Sequence, residues 1–272
     1  MKEILLLSDM HVMSLWGMMP PNFEVEDTKT GNMMQFVPNT IQKLLWDHWT
    51  TMLSMVNPDC IIINGDICDG PARRNMGSTV VSSNLEWQKQ AALAILDTLP
   101  NNIPKYFTVG TDYHSVGESG MPMEYVIAHE MGDVYGDDLL IEECGIRIHA
   151  SHNISISNSA WMYRTTPVAR DLMLMELNSA ADRYGPVDLL VRSHAHYYTS
   201  VSFPHSMGLI TPAWQTRTPF AVTKNILSPP DNGWITIRID DDQNISIDRR
   251  GLTHIGRPCK IVGRDYDSRA NT

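Results

Sequence analysis

Residues 186–200 read PVDLLVRSHAHYYTS, in which an apolar run at 187–191 stops at Arg192 and Ser193 and is followed by two histidines, His194 and His196. The run is typical of a buried β-strand, and residues i and i+2 of an extended chain point the same way. Both imidazoles are therefore expected to face one spot at the carboxyl end of the strand, where open α/β sheets bind ligands. Two imidazoles directed at one spot make half of a metal site, although two surface histidines would explain this stretch alone equally well.

Apolar strands alternate with amphipathic helices on both sides of this stretch. Strand patterns cover residues 3–9, 59–66, 105–110, 146–151 and 187–193. Helical spacing of apolar residues covers 39–56, 84–100, 121–132 and 166–185. Shorter strand patterns follow residue 197 and suggest a second sheet stacked on the first. The alternation predicts an α/β fold, two stacked mixed β-sheets flanked by helices.

The chain is expected to form a single domain over residues 1–263, followed by a C-terminal tail at 264–272. It has 272 residues, of which 43% are hydrophobic, so one large core is possible. An irregular apolar segment at about 12–38 interrupts the pattern after the first strand. This insertion is a candidate lid or substrate wall, or else a loop that packs on the core.

The composition argues against several classes of partner. No apolar run reaches the roughly 18 residues of a membrane span. The formal net charge of −10 argues against a broad nucleic-acid surface, although metal ions can supply positive charge at a single phosphate. The N-terminal apolar run is too short for a secretory signal. The scattered cysteines, without a CxxC pair, favour reduced thiols and a cytoplasmic location.

Aspartate or histidine follows each of the five main strand patterns. These residues are Asp9 and His11, Asp66, Asp112 and His114, His149 and His152, and His194 and His196. Aspartate and imidazole together suit Mn, Fe, Zn or Ni and argue against an all-oxygen Ca or Mg site. Six or seven such ligands exceed the needs of one tetrahedral zinc. The sequence therefore predicts two metal ions that share one carboxylate.

The order of these motifs, D-x-H, GD, a glycine loop with a histidine, His and H-x-H, resembles the calcineurin-like metallophosphoesterases over roughly residues 4–220. WGMMPP (16–21), RTTPVARDL (164–172) and PAWQTRTPF (212–220) resemble the branch of that family common in phage genomes. The resemblance implies a four-layer α/β/β/α sandwich and two divalent transition-metal ions, with manganese favoured over iron, zinc or nickel. It also implies a location in the host cytoplasm if the protein is phage-encoded.

The resemblance gives each ligand a role at one of the two ions. Asp66 would bridge both of them. The other ligands divide into a first set, Asp9, His11 and His196, and a second set, His194 with His152. His152 is favoured over His149, because His149 still lies inside its strand pattern.

Residues 110–114, GTDYH, depart from the family's Gly-Asn-His. Thr111 holds the position of the Asn, but Asp112 is chemically the better ligand and is slightly preferred for the second ion. His114 is predicted to be the catalytic acid that protonates the leaving group, since an imidazole with a pKa near about 6.5 donates a proton at neutral pH.

Cations near the predicted site are candidates for binding the phosphate. Arg73 and Arg74 follow the GDICDGP stretch and could clamp a phosphate, or could simply belong to a solvated loop. The same two interpretations, a phosphate contact or a solvated loop residue, apply to Arg217 and Lys224.

The resemblance implies hydrolysis of a small phosphoester by a hydroxide that bridges the two metals, with phosphodiesters somewhat favoured over monoesters. One alternative is a nuclease with the same site. Another is a non-catalytic binding module, as in the retromer subunit of this fold, which has lost ligands.

Overall fold

The computed structural model describes residues 1–72, 76–115, 120–155, 161–180, 185–223 and 229–252. The strands in these ranges are β1 (Lys2–Leu7), β2 (Phe23–Asp27), β3 (Asn32–Phe36), β4 (Cys60–Asn64), β5 (Lys105–Thr108), β6 (Val134–Gly136), β7 (Leu139–Glu143), β8 (Ile146–Ala150), β9 (Leu189–Arg192), β10 (Thr199–Ser202), β11 (Met207–Ile210), β12 (Gly233–Ile239) and β13 (Ile245–Gly251). The helices are α1 (Thr40–Met55), α2 (Leu85–Leu96), α3 (Asp112–Ser115), α4 (Met123–Met131), α5 (Thr166–Ala180) and α6 (Pro219–Thr223).

The strands form two mixed sheets. The first has the order β13-β12-β1-β4-β5-β6, in which β1, β4, β5 and β6 are parallel and β12 runs antiparallel to β1. The second has the order β10-β11-β9-β8-β7, in which β8, β9 and β11 are parallel. Helices α1, α2 and α4 connect the successive parallel strands of the first sheet, as parallel pairing requires.

Side-chain alternation along the strands separates the layers. In β1, Leu5 and Leu7 pack in the cluster that contains Leu45 and Trp49 of α1. Ile4 and Leu6 point the opposite way and join the cluster that contains strands of the second sheet. The first sheet is therefore covered by helices on one face and by the second sheet on the other.

Helix α5 covers the outer face of the second sheet. Val168 and Leu172 of this helix cluster with Leu190 of β9 and Ile210 of β11, and all four side chains are fully buried. Together the layers give the α/β/β/α order, and the predicted fold class is confirmed.

The segment at 12–38 is more regular than its sequence indicated. Its first part is buried, and Met13 and Met18 are joined by a backbone hydrogen bond of 2.9 Å and have no exposed surface. Its second part is the β2–β3 hairpin. The hairpin escaped prediction because the side chains of β3 are almost all exposed, so the strand lacks a buried apolar face.

The structure can be compared with two expectations from the composition, those about membrane spans and about the cysteines. Among the described helices, none is long and apolar enough to cross a bilayer. Cys60 and Cys68 are buried and Cys144 is exposed, and all three are free thiols. Residues 264–272, the predicted tail, lie outside the described residues, and the predicted domain limits stay a prediction.

The carboxyl ends of the parallel strands meet between the two sheets. Loops after β1 and β4 are joined by backbone hydrogen bonds from Asp9 to Gly65 and from His11 to Asp66, at 3.1 and 3.0 Å. The loop after β11 joins them through the backbone N–H of Trp214, which donates to the carbonyl of Asp9 at 3.0 Å. These bonds bring the strand-end aspartates and histidines of both sheets to one place.

Candidate metal centre

Much of this loop backbone is held in the left-handed region, which residues other than glycine seldom adopt. The residues concerned are Asp9 (φ 50°), His11 (φ 44°), Asp66 (φ 50°), His194 (φ 67°) and His196 (φ 55°). Each such conformation costs on the order of 1–3 kcal/mol and persists only where surrounding contacts impose it. Such strain concentrates at functional sites, and here it coincides with five of the residues predicted to bind metal.

The first predicted ligand set forms one compact group. Oδ1 of Asp9 lies 3.1 Å from Nε2 of His196, and Nε2 of His11 lies 3.2 Å from the same atom. One ligand atom from each residue lies within 4.8 Å of the others. Asp9 and His11 are buried, so the group is held inside the protein and opens towards solvent on the side of His196.

The second predicted set forms a neighbouring group of Asp66, His152 and His194, again with ligand atoms within 4.8 Å. Oδ2 of Asp66 lies 3.1 Å from Nε2 of His152 and 3.9 Å from Nε2 of His11 in the first group. The Asp66 carboxylate therefore lies between the two groups, as a bridging ligand would.

Two fully buried atoms of these groups, Oδ1 of Asp9 and Nε2 of His152, face the other ligand atoms and lie 3.9 Å apart. Their nearest polar neighbours are themselves predicted ligands, Nε2 of His196 and Oδ2 of Asp66, each at 3.1 Å. A cation between the groups would satisfy both atoms, and carboxylate with imidazole is a ligand set suited to divalent transition metals. The residues present therefore fit the predicted ions.

The charges inside the groups are strongly coupled. Burial alone would raise the pKa of Asp9, but His196 and His152 lower it more, to about 2. Burial opposes ionisation of Asp66 as well, yet His152 holds its pKa well below the usual range. Burial would lower the pKa of His152, but the carboxylates of Asp66 and Asp9 raise it to about 10. In the metal-free protein, a proton on His152 therefore offsets part of the negative charge of Asp9 and Asp66.

Asp69 is a site residue that the sequence analysis missed. Its Oδ1 lies 3.0 Å from Nδ1 of His11, and its backbone carbonyl accepts a hydrogen bond of 2.7 Å from Nδ1 of His114. Nε2 of Gln215 donates to the same Oδ1 at 3.1 Å. The signal available in the sequence was the second aspartate of GDICD. A carboxylate behind a metal-binding imidazole fixes its tautomer and orientation.

The structure brings Thr111, and not Asp112, to the centre. The backbone N–H and the hydroxyl of Thr111 donate to Oδ1 of Asp66 at 2.7 and 3.0 Å. Asp112 begins α3 with an exposed side chain and belongs to none of the ligand groups. Of the two alternatives, Thr111 is the one beside the carboxylate predicted to bridge the ions.

His149 lies away from the two groups. It shares β8 with Ile148 and Ala150, which face the core between the sheets, so its side chain points to the opposite face. There Nη1 of Arg192 lies 3.1 Å from Nδ1 of His149, and Oδ2 of Asp138 lies 3.7 Å from Nε2. His152 is thus the histidine of this strand end that the fold brings to the centre.

Of the four cations predicted as candidates for binding phosphate, one lies among the described residues. Arg73 and Arg74 lie outside the described residues, as does Lys224. Arg217 has an exposed side chain and lines a pocket of about 420 Å³ that opens onto His11, Asp66, His194 and His196. The same pocket reaches His114. The volume is within the range of small-molecule sites.

No family model and no curated protein matches this sequence. Solved structures do match in fold. Wild-type Vps29 of Entamoeba histolytica in complex with zinc is 13% identical, covering 92% of this chain and 98% of that chain, with a TM-score of 0.42. A structure described as a novel archaeal phosphodiesterase is 10% identical, with coverage of 91% and 99% and a TM-score of 0.46. A predicted phosphoesterase of Streptococcus pneumoniae is 9% identical, with coverage of 92% and 98% and a TM-score of 0.37. Likenesses at this level carry no information on the chemistry of this chain.

Proposed function

We propose that this protein is a binuclear metal-dependent phosphoesterase that hydrolyses small phosphodiesters, with monoesters as poorer substrates. The observation that carries the proposal is the adjacency of two ligand groups, Asp9, His11 and His196 beside Asp66, His152 and His194, which converge from both sheets. Asp9 Oδ1 and His152 Nε2 are fully buried within these groups and face the other ligand atoms.

Under this proposal each group would hold one divalent transition-metal ion, manganese being favoured, and Asp66 would be a ligand of both. When bound, such ions activate water and neutralise charge on the phosphoryl oxygens. The protein's own part is to orient the ligands. Asp69 holds the imidazole of His11 through Nδ1, and the N–H and hydroxyl of Thr111 hold the Asp66 carboxylate.

His114 is the proposed proton donor to the departing alkoxide. Its Nδ1 donates to the backbone carbonyl of Asp69, which leaves Nε2 as the atom available for proton transfer. The side chain lines the pocket and is 22% exposed, so a substrate can reach it. Its ring also contacts the ring of His11 edge to face, with centroids 4.6 Å apart, which keeps it beside the first ligand group.

The nuclease alternative has less support. Among the described residues lining the pocket, Arg217 is the one lysine or arginine, and the formal net charge is −10. A polymeric substrate needs several cations along its backbone. A cytoplasmic location and membership of the phage-type branch remain predictions that rest on the sequence.

The test is metal reconstitution followed by two chromogenic substrates. We expect metal-free protein to be inactive, and protein loaded with Mn²⁺ to hydrolyse bis(p-nitrophenyl) phosphate more efficiently than p-nitrophenyl phosphate. Binding of about two ions per chain, measured by elemental analysis, should accompany activity. Saturation at one ion would contradict the binuclear proposal, and inactivity of the fully loaded protein on both esters would contradict the enzymatic one.

A further inference from the structure

Two chemically different groups of residues line the pocket beside the metal centre. The first group, here called the inner end, contains the metal-binding side chains and the carboxylates Asp66 and Asp69. The second group, here called the outer end, includes Trp16 of the insertion at 12–38, Arg217 of the loop after β11 and Phe220 of α6. Both carboxylates among the described lining residues belong to the first group. The outer end therefore combines aromatic side chains with one cationic residue.

One wall of the outer end is rigidly held. The backbone carbonyl of Trp16 accepts hydrogen bonds from the N–H of Thr216 at 2.8 Å and from its hydroxyl at 3.2 Å. The carbonyl of Ser14 accepts a bond of 2.9 Å from the side chain of Gln42 on α1. Trp16 itself is only 9% exposed, so its ring is packed in place. This part of the insertion at 12–38 is therefore a fixed wall of the pocket.

The pocket lining also includes exposed aromatic side chains. Phe220 is 58% exposed although it lines a concave pocket. It lies four residues after Thr216, the residue bonded to the Trp16 wall. Tyr113 is 36% exposed, lines the same pocket and packs edge to face on His114, with centroids 4.9 Å apart. Exposed aromatic rings in a concavity mark a surface that a ligand covers.

We propose that the outer end binds a flat aromatic group of the substrate, so that the protein acts on phosphodiesters bearing a nucleoside. Aromatic and guanidinium groups stack on bases because every base has a π-face, and such stacking is independent of sequence. This inference rests on the proposed phosphodiesterase function and adds the class of its substrate.

Two esters with the same leaving group test the inference in Mn²⁺-loaded protein. Thymidine 5′-(p-nitrophenyl phosphate) presents a base, and methyl p-nitrophenyl phosphate does not. We expect kcat/KM for the thymidine ester to be at least about fivefold higher, the low end of what stacking of one base contributes. Equal values would overturn the inference while leaving the phosphodiesterase proposal intact. A hexyl ester as good as the thymidine ester would also overturn it, because an apolar chain would then suffice.

Substitution of the proposed contact provides the second part of the test. Phe220→Leu should lower kcat/KM for the thymidine ester severalfold more than for the methyl ester. Tyr163→Leu is the matched control, since Tyr163 is 49% exposed and is absent from the described pocket lining. It should leave the ratio of the two esters unchanged. A ratio that Phe220→Leu leaves unchanged would overturn the proposed contact between this ring and the base.

A binding measurement keeps the inference testable if neither ester is hydrolysed. Thymidine 5′-phosphate and methyl phosphate can be titrated into the Mn²⁺-loaded protein by calorimetry. Binding of the nucleotide about tenfold tighter than methyl phosphate would support the aromatic site even though the proposed activity had failed. Equal affinity would overturn it.

Discussion

Nδ1 of His152 lies 2.6 Å from the backbone carbonyl oxygen of Asn64, the residue just before Gly65 and Asp66. A carbonyl can only accept, so Nδ1 carries the proton of this bond and Nε2 is presented to Asp66, 3.1 Å away. The side chain of Asn64 is itself held by Ser193 and Thr108, at 2.6 and 2.7 Å. A chain of buried hydrogen bonds thus selects which nitrogen of His152 faces the metal site.

Metal binding should release a proton from His152. Because Asp66 and Asp9 raise its pKa to about 10, Nε2 is protonated in the metal-free protein at about pH 8, whereas an ordinary histidine is then neutral. A metal needs the Nε2 lone pair, so binding displaces this proton. Calorimetry in buffers of different ionisation enthalpy should give about one proton released per second-site ion. Release close to zero at this pH would mean that His152 is already neutral.

The same pKa shift fixes how stability depends on pH. A histidine whose pKa is raised on folding stabilises the metal-free protein fully below about pH 6.5, and that contribution disappears as the pH rises through about 10. Metal-free protein should therefore unfold at lower urea concentration at about pH 10 than at about pH 7. The Mn²⁺-loaded protein should lose less stability over this range, because the metal replaces the proton.

Gly65→Ala should disrupt the second ligand group. A Cβ at this position would lie 2.5 Å from Nδ1 of His152, and the residue has a φ of +76°. The side chain of His152 would have to move, so we expect weaker metal binding and a stability loss of more than about 1 kcal/mol.

Gly132→Ala is the matched control for this substitution. Gly132 has a φ of +75°, but a Cβ there would meet no atom within 4 Å. It carries the same backbone strain without the clash. It should lose about 1 kcal/mol of stability in urea unfolding and keep its metal affinity. Equal metal affinity in both variants would show that His152 adapts to the added methyl group.

The two histidines at the end of β8 should respond differently to removal. His152→Ala is expected to lose the second ion, since it deletes a ligand from the Asp66 group. His149→Ala should keep both ions but unfold more easily, by about 1–3 kcal/mol, because buried Arg192 loses one of its contacts. Elemental analysis and urea unfolding of both variants measure these effects. Metal loss in His149→Ala but not in His152→Ala would mean that His149 is the ligand and His152 is not.

Asp66→Asn should abolish activity without unfolding the chain. The amide oxygen can still accept the bonds from Thr111, so the local backbone keeps its contacts. It lacks the charge that holds two cations together, and we expect the affinity for metal to fall by more than about 100-fold. Metal titration and circular dichroism would separate the two effects. Near-normal turnover with full metal content would place the bridging carboxylate elsewhere.

His114→Ala should keep its metals and become sensitive to the leaving group. General acid catalysis contributes about 10²–10⁴-fold, and most for basic leaving groups. The variant should therefore lose far more activity on an alkyl diester than on a p-nitrophenyl diester, whose leaving group needs little protonation. Equal losses with metals retained would mean that His114 binds phosphate. Loss of metal would make it a ligand, which its grouping with His11 and Asp69 makes a real alternative.

The strands and their polar ends were predictable from the sequence because they are local patterns. Short apolar or alternating patterns mark β1, β4, β5, β8 and β9, and aspartate or histidine follows within a few residues of each. Parallel strands place their carboxyl ends at one edge, so the meeting of these side chains follows from the order of the motifs. The β2–β3 hairpin was missed because exposed strands lack that apolar signal.

Only the tertiary structure decided which nearby residue reaches the centre. Thr111 and Asp112 are adjacent, and His149 and His152 are three residues apart, so chemistry and spacing favour neither member of each pair decisively. The choice depends on the direction of each side chain, which loop backbone with positive φ and hydrogen bonds between distant segments impose. Asp69 could be recognised as a site residue only from the structure, since folding brings His11, His114 and Gln215 around it.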